Sequence, residues 1–146
     1  IASGVPHIPF EALDENYVID REAYLSYFRK MHRLFPKCKK MVMAVRNQIA
    51  SSHHTLSGLL YDTVEDQLYT TRIYDIQPIV DPMGVGDAFV AAYIHAHQKW
   101  GDKNQYCLDF SLSASAIKNT IPGDQNLVSE EEIISNMTSS GGRIQR

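Results

Sequence analysis

Two carboxylates flank a pair of glycines in the run Asp81-Pro82-Met83-Gly84-Val85-Gly86-Asp87. An apolar run precedes it and an alanine-rich stretch follows it, which predicts a turn leading into a helix. The first N–H groups of a helix are unpaired and carry the positive end of its dipole, so Gly84, Val85 and Gly86 are predicted to bind a phosphate. Asp87 lies beside this predicted anion hole, where a carboxylate can accept a proton. Such a pair suits the transfer of a phosphoryl group to a hydroxyl.

Composition and charge exclude several classes of protein. The 146 residues are 44% hydrophobic and 21% charged, which suits one globular domain with a modest core. The net charge of −3, with lysines and arginines scattered, gives no footprint for nucleic acid. No apolar run approaches the ~20 residues that cross a bilayer, so we expect no membrane partner and a cytoplasmic protein. Cys38 and Cys107 are predicted to be free thiols.

The elements around the motif follow from hydrophobic spacing. Asp20 is a good N-cap, and apolar residues recur at helical spacing after it as far as Pro36. Residues 40–46 form a short apolar run typical of a buried, parallel strand, and residues 56–61 and 67–74 predict a hairpin. The pattern as a whole predicts an α/β layered domain with a mainly parallel sheet and a hairpin.

Three helices are predicted after the hairpin. They cover residues 88–100, residues 106–118 and a last segment that begins at the capping box Ser129-Glu130-Glu131-Glu132. Alanine and serine dominate the first two of these helices. Small side chains leave room for close packing of the helices or for a flat ligand between them, and the sequence leaves both interpretations open.

The run Asp81-Pro82-Met83-Gly84-Val85-Gly86-Asp87-Ala88-Phe89 resembles the C-terminal signature D-[TP]-x-G-A-G-D-x-F of the PfkB, or ribokinase-like, carbohydrate kinases. Within that family, residues 46–61 and 114–124 are most similar to 2-keto-3-deoxygluconate kinases, and Thr120-Ile121-Pro122-Gly123-Asp124 is the discriminating piece. The resemblance covers the chain from about Asp20 to its end. It implies a three-layer α/β/α fold, ATP and Mg²⁺ as cofactors, and a sugar acid as the acceptor.

The same resemblance implies that part of the kinase is absent. Family members are considerably longer, and their N-terminal half supplies the start of the central sheet, the lid over the sugar and most sugar contacts. Residues 1–146 are therefore predicted to be a single partial domain, the C-terminal, nucleotide-side half of such a kinase. Half of a layered domain leaves apolar surface uncovered, so we expect a homo-oligomer unless another chain completes it.

Roles for individual residues follow from the resemblance, each with a structural alternative. Asp87 would be the general base, and Gly84, Val85 and Gly86 the anion hole. Asp81 would lie near a monovalent-cation site or order the loop, or would cap a strand end. Asn119 and Ser115 lie where the family builds its adenine pocket, although Asn119 would equally cap its helix.

Two further candidate sites depend on residue type and position alone. Arg46, expected at the end of its strand, could reach a nucleotide phosphate through its planar fork or could be a solvated charge. His53 and His54 are adjacent on an extended segment and point to opposite faces, so no protein metal site is expected.

Two other functions remain open beside the 2-keto-3-deoxygluconate kinase. One is a non-catalytic module that binds a nucleotide or an anion. The other is a different PfkB sugar kinase, such as a fructokinase or a ribokinase.

Overall fold

The computed structural model describes residues 16–139, so the opening segment and the last seven residues of the tail lie outside the described part. Four helices and four strands occur in this part. Their order along the chain is α1 (Arg21–Leu34), β1 (Lys40–Ala50), β2 (His53–Asp62), β3 (Gln67–Thr70), β4 (Tyr74–Ile76), α2 (Val85–Trp100), α3 (Asn104–Lys118) and α4 (Glu130–Thr138).

The sheet is antiparallel wherever the described residues pair, which makes the prediction of a mainly parallel sheet wrong. β2 is central; it pairs with β1 on one side and with β3 and β4 on the other. The predicted hairpin is present as β2 and β3, but β3 ends at Thr70 and Tyr74 begins a separate strand. A tight turn at Ser51 and Ser52 folds β1 back on β2, with Met43 opposite Leu59.

The error has a physical cause in the packing of β1. Its side chains alternate between the two faces of the sheet, and both faces are covered only near its start, since Ala44, Arg46 and Gln48 are exposed. Met41, Met43 and Val45 pack on the α1 side, whereas Val42 packs on the α2 and α3 side. A strand with helices on both faces reads as a continuous apolar run, which is also the pattern of parallel strands.

The helices lie in two layers on opposite faces of the sheet. Tyr24 and Phe28 of α1 pack on Leu59 and Tyr61 of β2, and the rings of Phe28 and Tyr61 stack at 5.7 Å. On the other face, Leu56 and Leu60 belong to a cluster that includes Val85 and Phe89 of α2 and Leu108 and Leu112 of α3. The described residues therefore form three layers in the order helix, sheet, helix.

α3 is the most buried helix, and its small residues explain why. Its residues 110–118 are all buried, and serines and alanines at five of these positions let α2 and the sheet approach it closely. α4 packs on the outer side of this pair, where Ile133 joins the cluster formed by Ala92, Ala96 and Phe110. The ends of α3 and the start of α2 are thereby fixed relative to one another.

None of the described helices is both long enough and apolar enough to cross a membrane. Cys38 and Cys107 are free thiols.

Candidate phosphate-binding site at the start of α2

The segment that leads into α2 is held by backbone hydrogen bonds to two other segments. Ile79 N–H donates to the carbonyl oxygen of Ser52, at 2.9 Å. Val80 N–H and Asp81 N–H both donate to the carbonyl oxygen of Asn119, at 2.8 and 3.2 Å. The segment before the motif is thus fixed to the β1–β2 turn and to the end of α3.

Asp81 ties the motif to the segment that follows α3. Its Oδ1 accepts a hydrogen bond from Met83 N–H, and its Oδ2 accepts one from Gly123 N–H, both at 2.9 Å. These two donors, Met83 first, hold the pKa of the Asp81 carboxyl below its ordinary value, because they favour the charged form. The Asp81 carboxylate therefore joins the motif to residue 123, and the loop-ordering role stays a prediction.

Gly84 begins the helix in a conformation that only glycine adopts readily. Its φ is +73°, and a Cβ built there would collide with the carbonyl oxygen of Asp124. Gly86 has a different environment, because a Cβ there would have no neighbouring atom within 4 Å. The packing of the described residues therefore requires a glycine at position 84, and leaves the backbone at position 86 open to an approaching group.

The start of α2 leaves its first N–H groups available. Gly84 makes no side-chain cap, and the first intrahelical bond runs from Ala88 N–H to Gly84 C=O at 2.8 Å. The N–H groups of Val85, Gly86 and Asp87 precede that bond and have no partner within the helix. Asp87 is exposed in this first turn, so a carboxylate and three N–H groups without a partner in the helix occupy one short stretch of backbone.

Ser115 and Asn119, predicted beside the nucleotide, lie behind the site rather than in an open pocket. Ser115 is fully buried, and its Oγ donates to the carbonyl oxygen of Val85 at 2.9 Å. Asn119 is 1% exposed; its Nδ2 donates to the Ser115 carbonyl oxygen at 3.0 Å, while its Oδ1 has no hydrogen-bond partner. The Ser115 side chain therefore bonds the first turn of α2 from inside the fold, whereas the Asn119 side chain bonds within its own helix, of which Asn119 is the C-cap.

Arg46 was expected at the end of its strand, and this prediction is wrong, because β1 continues to Ala50. The residue is exposed and lies opposite Leu56 in the β1–β2 pair. Burial first, and then the charge of Arg46, lower the pKa of His54, a buried histidine with neither ring nitrogen hydrogen-bonded. The contacts of residues 16–139 do not join Arg46 to the start of α2.

The two histidines lie apart, as their alternation predicts. The ring of His53 pairs with Asp75 at 2.6 Å, and His54 is 3% exposed. Within residues 16–139 no cluster of three metal-ligating side chains occurs.

A groove of about 300 Å³ runs along α2 away from the site. It begins at Ala88, directly after Asp87, and α3 and α4 form its other walls. Apolar side chains predominate in its lining: Ala88, Ala91, Ala92, Phe110, Ala114, Val128 and Ile133, with His95, Asn126 and Glu130 as polar members. The sequence left two interpretations of the small residues open, close packing of the helices or room between them. Both apply, because α2 and α3 pack closely and several of their alanines line an open groove.

Two solved kinase structures are similar to this chain. No family model matches the chain, and no curated protein does. A 2-dehydro-3-deoxygluconokinase from Thermotoga maritima is 30% identical with a TM-score of 0.75, over 82% of this chain and 35% of that one. A PfkB family carbohydrate kinase from Listeria grayi is also 30% identical, with a TM-score of 0.73, over 77% of this chain and 34% of that one.

The resemblance to the PfkB carbohydrate kinases is confirmed. A third structure, from Enterococcus faecalis, is 15% identical with a TM-score of 0.68 over 91% of this chain and 37% of that one, and it supports the fold alone. The chain spans about a third of the length of these PfkB-type structures. The likeness therefore describes one part of a larger kinase architecture.

Three parts of this candidate site were not predicted from the sequence. The carbonyl oxygen of Asp124 lies against Gly84, Gly123 N–H bonds Asp81, and Lys118 is buried beneath both segments. The first two are backbone contacts, for which side-chain types carry no signal. Lys118 does have one, because it is a lone charge that follows a long run of small and apolar residues on α3.

Proposed function

We propose that this chain is the ATP-side part of a carbohydrate kinase that acts on 2-keto-3-deoxygluconate. The observation that supports the proposal is the start of α2, where unpaired N–H groups and the exposed Asp87 share one helical turn. The open space at Gly86 lets a phosphate reach that backbone. The 30% identity to a 2-dehydro-3-deoxygluconokinase supports the choice of sugar.

The residues divide the reaction between them. The N–H groups of Gly84, Val85, Gly86 and Asp87 would bind the charge that develops on the transferred phosphoryl group. The Asp87 carboxylate would take the proton from the attacking sugar hydroxyl. Mg²⁺ bound through the nucleotide phosphates would neutralise part of their charge, so no protein cage of ligands is needed.

The groove along α2 supports a place for the nucleotide base. Its volume of about 300 Å³ admits a purine ring, and its apolar walls would shield the ring faces from water. Because the groove begins at Ala88, a base in it would leave the phosphates near the helix start. The sugar would be bound by residues outside this chain.

The full-length natural protein that contains this chain tests the proposal directly. We expect ATP-dependent phosphorylation of 2-keto-3-deoxygluconate, measured as ADP release, with fructose and ribose as comparison substrates. Faster turnover of fructose or ribose would move the assignment to another PfkB kinase. If none of the three sugars is phosphorylated, the proposal that the protein is a sugar kinase is contradicted.

A non-catalytic nucleotide-binding module is the second candidate, because the N–H groups at the start of α2 would bind a nucleotide phosphate whether or not a sugar is phosphorylated. Calorimetry with Mg-ATP separates the two. Binding without ADP release would support the module, and no binding at millimolar nucleotide would contradict both.

The exposed apolar residues Val90 and Ile94 on α2 support the predicted homo-oligomer, which sedimentation of the same protein would test.

A further inference from the structure

Lys118, the last residue of α3, is a charged side chain with no exposed surface. Its Nζ donates to the carbonyl oxygen of Ile121 at 2.9 Å, and the carbonyl oxygen of Asp81 lies at 3.4 Å. Within residues 16–139 no carboxylate oxygen forms an ion pair with it. A buried charge is costly unless polar groups solvate it, so the two carbonyl dipoles are part of what holds this ammonium in place.

Those two carbonyls belong to the two segments that build the candidate phosphate site. Asp81 lies in the segment that leads into Gly84, and Ile121 in the segment that ends at Asp124. The segments are also joined by the bonds from Val80 N–H to Asn119 C=O and from Gly123 N–H to the Asp81 carboxylate. The ammonium therefore sits at the junction of the site, where carbonyl oxygens converge.

The electrostatics of the junction agree with a fixed positive charge. The backbone donors Met83 and Gly123 lower the pKa of Asp81 most, and the charge of Lys118 lowers it further. Carbonyl oxygens beside a carboxylate are the ligands that hard cations take. A second cation at the same junction would be repelled by the ammonium across a few ångströms of protein interior.

We propose that the Lys118 ammonium is the built-in cation of this site, ordering residues 80–84 and 119–124 in place of a bound monovalent cation. The proposal rests on the proposed function only in treating the start of α2 as a phosphate site. Lys118 is a positioning residue, since it acts through Asp81 and the two segments and does not itself reach the helix start. The monovalent cation that the family resemblance implies near Asp81 is then not required by this chain.

Thermal unfolding of the full-length protein in three salts at equal ionic strength tests this: potassium, ammonium and choline chloride. The wild type should unfold at the same temperature in all three. Lys118→Ala should unfold at a lower temperature in choline and be raised by about 4 °C or more in potassium or ammonium, which can enter the vacated space. Lys118→Met fills that space and should show no such rescue.

The matched control is Lys103→Ala, which removes an exposed lysine at the other end of the same helix. It should behave like the wild type in every salt. Specific stabilisation of the wild type by potassium over choline would overturn the proposal, because it would reveal a separate cation site. Equal melting of Lys118→Ala in all three salts would also overturn it, since a purely packing role has no preference among cations.

Hydrogen exchange provides a second measurement if Lys118→Ala does not fold. In Lys118→Met the amides of Met83 and Gly123, which bond Asp81, should exchange at least about tenfold faster than in Lys103→Ala. Unchanged protection of both amides would contradict the proposal. These readouts use neither nucleotide nor sugar, so a failed kinase assay with the expected ion response would count against the proposed function alone.

Discussion

The helices of this chain begin in two contrasting ways. α1 and α4 are capped by their own side chains: Asp20 Oδ1 accepts from Ala23 N–H at 3.1 Å, and Ser129 and Glu132 form a reciprocal capping box. α2 and α3 have no side-chain cap, and of these two only α2 begins at a left-handed glycine. The four described helices therefore divide into two with side-chain caps and two without, and the kinase signature lies at one of the uncapped starts.

The glycine start of α2 has a small cost in stability. A glycine at the N-cap forgoes only roughly a few tenths of a kcal/mol relative to a serine or aspartate. In α2 the surrounding structure holds the start in place, because Ser115 Oγ donates to the Val85 carbonyl oxygen and Asp81 joins the preceding segment to Gly123. The unpaired donors are then held rigidly and remain available to an anion.

The largest effect is expected from Asp87→Asn in the full-length protein. Turnover should fall about 10²- to 10⁴-fold, because the amide cannot accept the hydroxyl proton, while Mg-ATP affinity is retained. The control is Glu131→Gln, which removes an exposed carboxylate from the first turn of the capped helix α4 and should leave turnover unchanged. Near-normal turnover of Asp87→Asn would exclude it as the base.

Gly84→Ala should destabilise the protein more than Gly101→Ala at the other end of α2. Both glycines have positive φ, +73° and +61°, so both substitutions introduce backbone strain of about 1–3 kcal/mol. Only at Gly84 does the added Cβ also collide with the Asp124 carbonyl oxygen. Urea unfolding measures the difference, and equal losses would show that the contact with Asp124 yields without cost.

Asp20→Ala should lower the free energy of unfolding by about 1 kcal/mol, the usual value of an N-cap. Because α1 covers the opposite face of the sheet from α2, Mg-ATP affinity should not change. Asp20→Asn, which keeps a capping oxygen, is the control and should retain most of the stability. A loss of Mg-ATP affinity in Asp20→Ala would show that the start of α1 also affects nucleotide binding, and would contradict its purely structural role.

The smallest expected effect on stability is that of Gly86→Ala, and its sign is opposite. Alanine in the first turn should raise the free energy of unfolding by about 0.5–1 kcal/mol, since no atom obstructs its Cβ. The same methyl group should weaken Mg-ATP binding, because it occupies the space through which a phosphate reaches the backbone. Ser135→Ala on exposed α4 is the control for helix propensity alone. Unchanged affinity in Gly86→Ala would place the phosphate elsewhere.

Much of the local structure could be predicted from the sequence. The cap at Asp20, the capping box at Ser129 and the turn between β2 and β3 depend on neighbouring residues, and all three are present. The family resemblance was also readable, because the spacing of Asp81, the glycines and Asp87 is short-range. The direction of β1 was not, since its first residues are covered on both faces of the sheet and such a short apolar run fits either direction.

The candidate site likewise combines short-range features, which the sequence predicts, with contacts that depend on tertiary packing. By itself the sequence determined which residues carry the candidate chemistry, because the helix start and its carboxylate are contiguous in the chain. Only the tertiary structure decided what holds them: Asp124 against Gly84, Gly123 on Asp81, and Lys118 between the two segments. The contacts of Gly123 and Asp124 reach residues about 40 positions away through backbone atoms, which every residue type possesses, so side-chain types give no signal for them.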